Sequence, residues 1–122
     1  MQNPLIVVLG ASNKPHRYAF KAMKMLQEYG YHVLPVHPKL ENIDGHAVKH
    51  SLQQIKDEVD TLTVYVGPQR SAALIDDIVK LNPSRVILNP GTESEELELA
   101  LLHNDISFVK DCTLLMLEHG RF

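Results

Sequence analysis

Apolar residues first gather in Leu5-Ile6-Val7-Val8-Leu9, a continuous run rich in β-branched side chains. A run without polar alternation predicts a strand buried on both faces, as in a parallel sheet. Within residues 17–29, Tyr18, Ala22, Met25, Leu26 and Tyr29 recur at helical spacing, and Gly30 follows as a C-terminal cap. This pattern assigns Met25 to the core and puts Met23 on a different face of the helix. Tyr31 to Val36 predicts a second strand, stopped by Pro38. Lys39 to Gly45 is polar and turn-like, and residues 47–60 read as irregular chain with one helical turn around Ser51 to Ile55.

The same alternation continues through the second half. Thr61 to Val66 predicts a third strand, and Pro68 opens a helix that runs through about Leu81. Arg85 to Leu88 is a fourth strand, followed by a helix from about Thr92 to His103. Thr92 and Glu95 have capping-box spacing, and Ser94 is a second candidate cap. Ile106 to Val109 is a fifth strand, and Asp111 is placed to cap a last short helix through about His119. Strands alternating with helices predict right-handed βαβ units. The expected fold class is therefore α/β, a three-layer α/β/α sandwich on a five-stranded parallel sheet. Proline and glycine fall at element junctions, with no linker or internal repeat, so residues 1–122 read as a single domain.

Composition narrows the function classes. A net charge of −3 gives no general attraction to nucleic acid or to an anionic membrane. One cysteine excludes an internal disulfide framework and a four-thiolate metal site, and it fits a reducing compartment. Met1-Gln2-Asn3-Pro4 has neither the basic nor the apolar part of a signal peptide. No apolar run approaches the roughly 20 residues that span a bilayer. The expectation is a soluble, cytoplasmic protein.

Ligands of open parallel sheets bind beyond the carboxyl ends of the strands, where strand order reverses. Four unusual stretches fall at such ends: Gly10 to Arg17, Val36 to Lys39, Val66 to Arg70, and Asn89 to Thr92. In the first, Gly10 permits a tight turn and close approach of a phosphate, and Ser12 offers a hydroxyl. The following helix brings free N–H groups and a positive dipole end, with Lys14 and Arg17 adding cations. The plainer alternative is an ordinary βα turn with a wet basic surface. The G-x-G-x-x-G fingerprint is broken, because its later glycines are replaced by Ser12 and Pro15. At the end of the second strand an NAD site carries an acid that accepts from the ribose. This chain has His37, Pro38 and Lys39 there. A lysine favours a phosphorylated ribose, as in NADP or coenzyme A, over plain NAD; the alternative is a solvated loop lysine.

Other chemistry is thinly represented. His46 and His50 stand four apart, but no third ligand accompanies them, so no metal site is assigned. Cys112 reads as a small buried residue in preference to a reactive thiol. Nucleophile-elbow and phosphate-loop motifs are absent. Glu93, Glu95, Glu96 and Glu98 form a solvated acidic helix start. No residue is singled out as catalytic.

Three stretches together carry a resemblance: "VLGASNKPHRYAFKAMKMLQEYGYHVLPVHPK", "YVGPQRSAAL" and "ILNPGTESEELELA". The chain resembles, from about Pro4 to Cys112, the small CoA-binding proteins. Those are single-domain relatives of the CoA-binding domain of the succinyl-CoA synthetase α subunit. The resemblance implies a Rossmann-like fold. It implies that Gly10, Ala11 and Ser12 approach the pyrophosphate, with Arg17 and Tyr18 nearby. It places Val36, His37, Pro38 and Lys39 along the adenosine and 3′-phosphate end. Gly67 and Pro68 then pass close to the ligand, and Asn89, Pro90 and Gly91 wall the pantetheine arm. Position 37, often Asn in that family, is His here. The resemblance implies binding of coenzyme A or an acyl-CoA, a small-molecule nucleotide ligand, and does not imply ligase activity. The alternatives are a small NADP-dependent oxidoreductase, or a protein-interaction module with a vestigial cleft. On the binding reading, replacing Gly10 by Val is expected to block the ligand and spare the fold.

Overall fold

The computed structural model describes residues 4–122; Met1 to Asn3, part of the N-terminus read above as leaderless, lie outside them. Strand β1, Leu5–Leu9, is buried at every position. Ile6 and Val8 pack on one side of the sheet and Leu5, Val7 and Leu9 on the other, the period-two division of a strand covered on both faces. Helix α1, Tyr18–Glu28, returns the chain to β2, His32–Val36. Its buried stripe is Ala19, Ala22, Met23 and Leu26, whereas Tyr18 and Tyr29 are 68% and 53% exposed. The helical face is thus rotated from the one expected, and Met23 is fully buried while Met25 is half-buried. The i, i+3, i+4, i+7 spacing from Ala19 is the set that holds the core.

A two-stranded antiparallel hairpin follows, β3 at Asn42–Ile43 and β4 at His46–Ala47, where the sequence pattern predicted only a turn. Ile43 anchors it, 1% exposed among the residues packed against α1. Lys49 then runs beside the outer edge of β2. Its N–H donates to Pro35 O at 3.1 Å, and the His37 N–H donates to Lys49 O at 3.0 Å. The missing Pro35 donor points to the same outer side as its carbonyl, so the proline leaves the β1–β2 ladder intact. A short 3₁₀ turn, Leu52–Gln54, leads on to β5, Thr61–Val64.

The predicted helix from Pro68 to Leu81 is two helices, α2 at Pro68–Ala72 and α3 at Ile75–Leu81. Ser71 is fully buried, and its hydroxyl donates to Pro68 O at 3.2 Å. That side-chain bond competes with the helix ladder. The Ala73 and Leu74 N–H groups then bond three residues back, to Arg70 O and Ser71 O, and the axis breaks. Strand β6, Arg85–Leu88, helix α4, Glu95–His103, strand β7, Ser107–Lys110, and helix α5, Thr113–Glu118, complete the chain. Of the two candidate caps of α4, Ser94 serves, accepting from the Leu97 N–H at 3.2 Å.

The five long strands form one parallel sheet in the order β2-β1-β5-β6-β7. Helices α1 and α5 cover one face, and α3 and α4 cover the other. This is the three-layer Rossmann-like α/β sandwich expected from the sequence. The order reverses between β1 and β5, and the loops after those strands diverge to opposite sides. That geometry opens a crevice at the carboxyl edge. Among the described residues no helix is long and apolar enough to cross a membrane.

Candidate functional site

The first turn is built by Gly10, whose φ of +88° lies in the left-handed region. The N–H groups of Gly10 and Ala11 both donate to Val36 O, at 3.3 and 3.1 Å, and stitch the turn to the end of β2. Those two amides are therefore consumed by the fold. The next ones, on Ser12 and Asn13, have no partner among the described residues. Ser12 Oγ accepts from the Lys14 N–H at 3.1 Å and fixes the loop that carries them. Helix α1 begins without a side-chain cap and without an acid in its first turn. Its leading N–H groups keep the positive end of the helix open to solvent.

These groups border a cleft of about 630 Å³. From the first turn it is lined by Gly10, Ala11, Ser12, Lys14, Arg17 and Tyr18. His37 comes from the end of β2, Gly67 from the loop after β5, and Pro90 and Gly91 from the loop after β6. Loops widely separated in sequence thus share one rim. Five of the residues picked from sequence do not line it: Val36, Pro38, Lys39, Pro68 and Asn89. Val36 is buried and contributes its carbonyl to the first turn. Asn89, 2% exposed, turns into the protein. Its Nδ2 donates to Thr63 Oγ1 at 2.7 Å and to Val64 O at 2.9 Å, while its Oδ1 accepts from the Thr113 N–H at 2.9 Å.

Asn13, Arg70 and Thr92, which fall in the strand-end stretches but were given no individual role, line the cleft, and so do Ala19, Leu40 and Tyr65, which the sequence did not point to. Arg70 was present in the sequence stretch after the third predicted strand. Its place in the first turn of α2, directly after the end of β5, puts it on the rim. Lys14, Arg17 and Arg70 form no ion pair among the described residues, and no carboxylate lines the cleft. Tyr65 closes the inner end. Burial is the main cause that pushes its hydroxyl up to about 12, against the pull of nearby Thr113 and Thr63. The two threonine hydroxyls bond each other at 2.8 Å, and the Tyr65 hydroxyl has no hydrogen-bond partner among the described residues.

His37 holds the next turn. Its Nδ1 accepts from the Lys39 and Leu40 N–H groups, each at 3.0 Å. Asparagine performs this service in an Asx turn, so histidine keeps the geometry with a titratable atom. Both contacts require an unprotonated Nδ1, which leaves Nε2–H as the ring's donor. Its pKa is lowered, first by burial, then by the charges of Arg70, Lys39 and His50. The unfolded chain therefore takes the proton more readily, and acid favours unfolding. This contribution is intact above the ordinary value of 6.5 and fades as the pH falls below it. In acid-unfolding titrations His37→Asn is expected to lose part of the wild-type decline. Identical pH profiles for the two proteins would show that the ring nitrogen does not support the turn.

The remaining candidate chemistry is dispersed. His46 lies in β4 and contacts Gln27, while His50 bonds Leu40 O at 3.2 Å. Among the described residues no three His, Cys, Asp or Glu side chains are grouped to hold a metal ion. Cys112 is half-buried, and Asp111 Oδ1 accepts from its N–H at 2.7 Å. A second hollow, of about 830 Å³, opens at the opposite, amino edge of the sheet between the loops around Lys56 to Asp60 and Leu81 to Ser84. None of the residues picked from sequence lies there.

A cationic cleft at the reversal point of a parallel sheet is where the ligands of open α/β folds bind. The model of the CoA binding domain family matches residues 5–118, and the chain belongs to that family. A crystal structure of an uncharacterized protein, 38% identical, superposes with a TM-score of 0.93 over 100% of both chains. A Thermus thermophilus structure, cell-free ID.343, is 33% identical with a TM-score of 0.90 over 99% of this chain and 92% of that one. The chain is also similar to the α subunit of the ADP-forming acetate–CoA ligase II of Pyrococcus furiosus, 38% identical over 66 residues. That match covers 53% of this chain and 14% of the subunit.

Proposed function

We propose that this protein binds coenzyme A or an acyl-CoA in the carboxyl-edge cleft, as a binding unit without catalysis of its own. The observation that carries this reading is the donor set. Among the described residues, unpartnered amides on Ser12 and Asn13, the open start of α1, and the unpaired Lys14 and Arg17 converge on one side of the cleft. Such a set fits a diphosphate. Membership of the CoA binding domain family supports the coenzyme over other diphosphates. Pro90 and Gly91 continue the cleft past β6, where a pantetheine arm extends on this reading. The single cysteine accords with a reducing, cytoplasmic setting.

Coenzyme A is expected to raise the melting temperature. A ligand present at 100 times its Kd adds about 2.7 kcal/mol to the native state, which is a shift of roughly 10 °C at this chain length. Arg17→Ala is expected to weaken coenzyme A and dephospho-CoA equally, by about tenfold or more, because both present the same diphosphate to a charge-assisted bond. Absence of a thermal shift with coenzyme A and acyl-CoAs at millimolar concentration would remove the proposal.

A further inference from the structure

We propose that Arg70, beside the Nε2–H of His37, recognises a phosphate carried on the ribose of the ligand. The inference rests on the coenzyme reading for the identity of the ligand and on separate observations for the subsite. Dinucleotide folds read the ribose at the end of the second strand, with an acid for a free hydroxyl or a nearby arginine for a phosphate. Here that position is His37, and no carboxylate lines the cleft around it. Its Nδ1 is committed to the Lys39 and Leu40 amides, so the ring presents a donor and no acceptor to a ligand.

Arg70 reaches the same end from across the reversal point. It projects from α2, which ends two residues later, and lines the cleft together with His37. Its charge is the strongest electrostatic influence on the His37 ring, second only to burial. No acid among the described residues neutralises it. A guanidinium presents a planar fork that pairs two oxygens of a phosphate, which a lysine ammonium does not. Lys39, the cation the sequence pointed to, lies outside the cleft, with its own N–H tied to the histidine. Two anion-binding zones follow: the first turn with Arg17 for the diphosphate, and His37 with Arg70 for a monophosphate on the sugar.

The test is titration calorimetry of the full chain with coenzyme A, dephospho-CoA, NADPH and NADH, on wild type, Arg70→Ala, Arg70→Lys and Lys39→Ala. Arg70 is exposed, and unliganded melting curves establish that each variant folds. Wild type is expected to prefer coenzyme A to dephospho-CoA by about tenfold or more. Arg70→Ala is expected to weaken coenzyme A by about 10- to 100-fold while dephospho-CoA stays within about twofold. Arg70→Lys restores only part of the preference, and Lys39→Ala keeps it. Equal weakening of both ligands by Arg70→Ala assigns Arg70 to the diphosphate and overturns the inference. Loss of the preference in Lys39→Ala alone overturns it as well. Binding of NADPH over NADH with the same Arg70 dependence, and no binding of coenzyme A, sustains the ribose-phosphate subsite and removes the coenzyme reading. A wild-type chain that binds none of the four removes both.

Discussion

Gly10→Val is expected to lower the melting temperature of the unliganded protein by roughly 8–20 °C, before any ligand is considered. A Cβ at position 10 would stand 2.8 Å from Val66 Cγ1, 3.0 Å from the Tyr65 carbonyl carbon and 3.2 Å from its oxygen. Two of those atoms are backbone in the chain leaving β5, and the third belongs to a stiff, buried valine. The φ of +88° adds about 1–2 kcal/mol for any L side chain. Overpacking adds about 1–3 kcal/mol, so the total is roughly 2–5 kcal/mol out of the 5–15 kcal/mol that hold an ordinary domain together. The sequence alone reads the glycine as room for a phosphate and a valine there as sparing the fold. The room it leaves is already filled by the neighbouring strand exit. Loss of ligand in this variant is therefore no measure of a ligand contact, and Arg17→Ala is the cleaner probe. Differential scanning calorimetry decides the matter; a variant that melts within about 2 °C of wild type would refute the packing account.

The order of elements was legible because it rests on composition over whole segments. Leu5 to Leu9 is apolar at every position and is buried at every position. Arg85 to Leu88 occupies the predicted bounds. What escaped the pattern depended on single side chains acting at a distance. The rotated face of α1 turned on Ala19, a small residue that hydrophobic counting underweights beside Tyr18 and Tyr29. Ser71 looks like one more tolerable residue in a helix, yet its burial and back-bonding divide α2 from α3. The β3–β4 hairpin rests on two residues per strand, too few to produce a period. His37 is a different case. Its position at the cleft is readable from the strand end, while its grip on two amides is not, because a side chain accepting from residues 39 and 40 leaves no trace in periodicity.

Asn89→Ala is expected to be as damaging as the glycine substitution, through polar groups instead of sterics. The side chain spans the end of β6, the β5 positions Thr63 and Val64, and the first amide of α5. Alanine leaves the Val64 carbonyl and the Thr113 N–H without these partners in an interior that is 0% exposed at Val64 and Thr113. A buried group stripped of its hydrogen bond costs about 1–3 kcal/mol, so two stranded groups and a weakened Thr63–Thr113 pair amount to roughly 3–5 kcal/mol. Asn89→Asp keeps the acceptor for Thr113 but replaces the donor with a buried charge facing the Val64 carbonyl, and is expected to be no better near neutral pH. Tyr65, which lines the cleft, lies against Thr113 at the start of α5. Both variants are therefore expected to lose ligand affinity together with stability, even though Asn89 does not line the cleft. Urea denaturation gives the measurement. A loss below about 1 kcal/mol in Asn89→Ala, or ligand affinity lost while stability is unchanged, would return Asn89 to the role of a direct ligand contact.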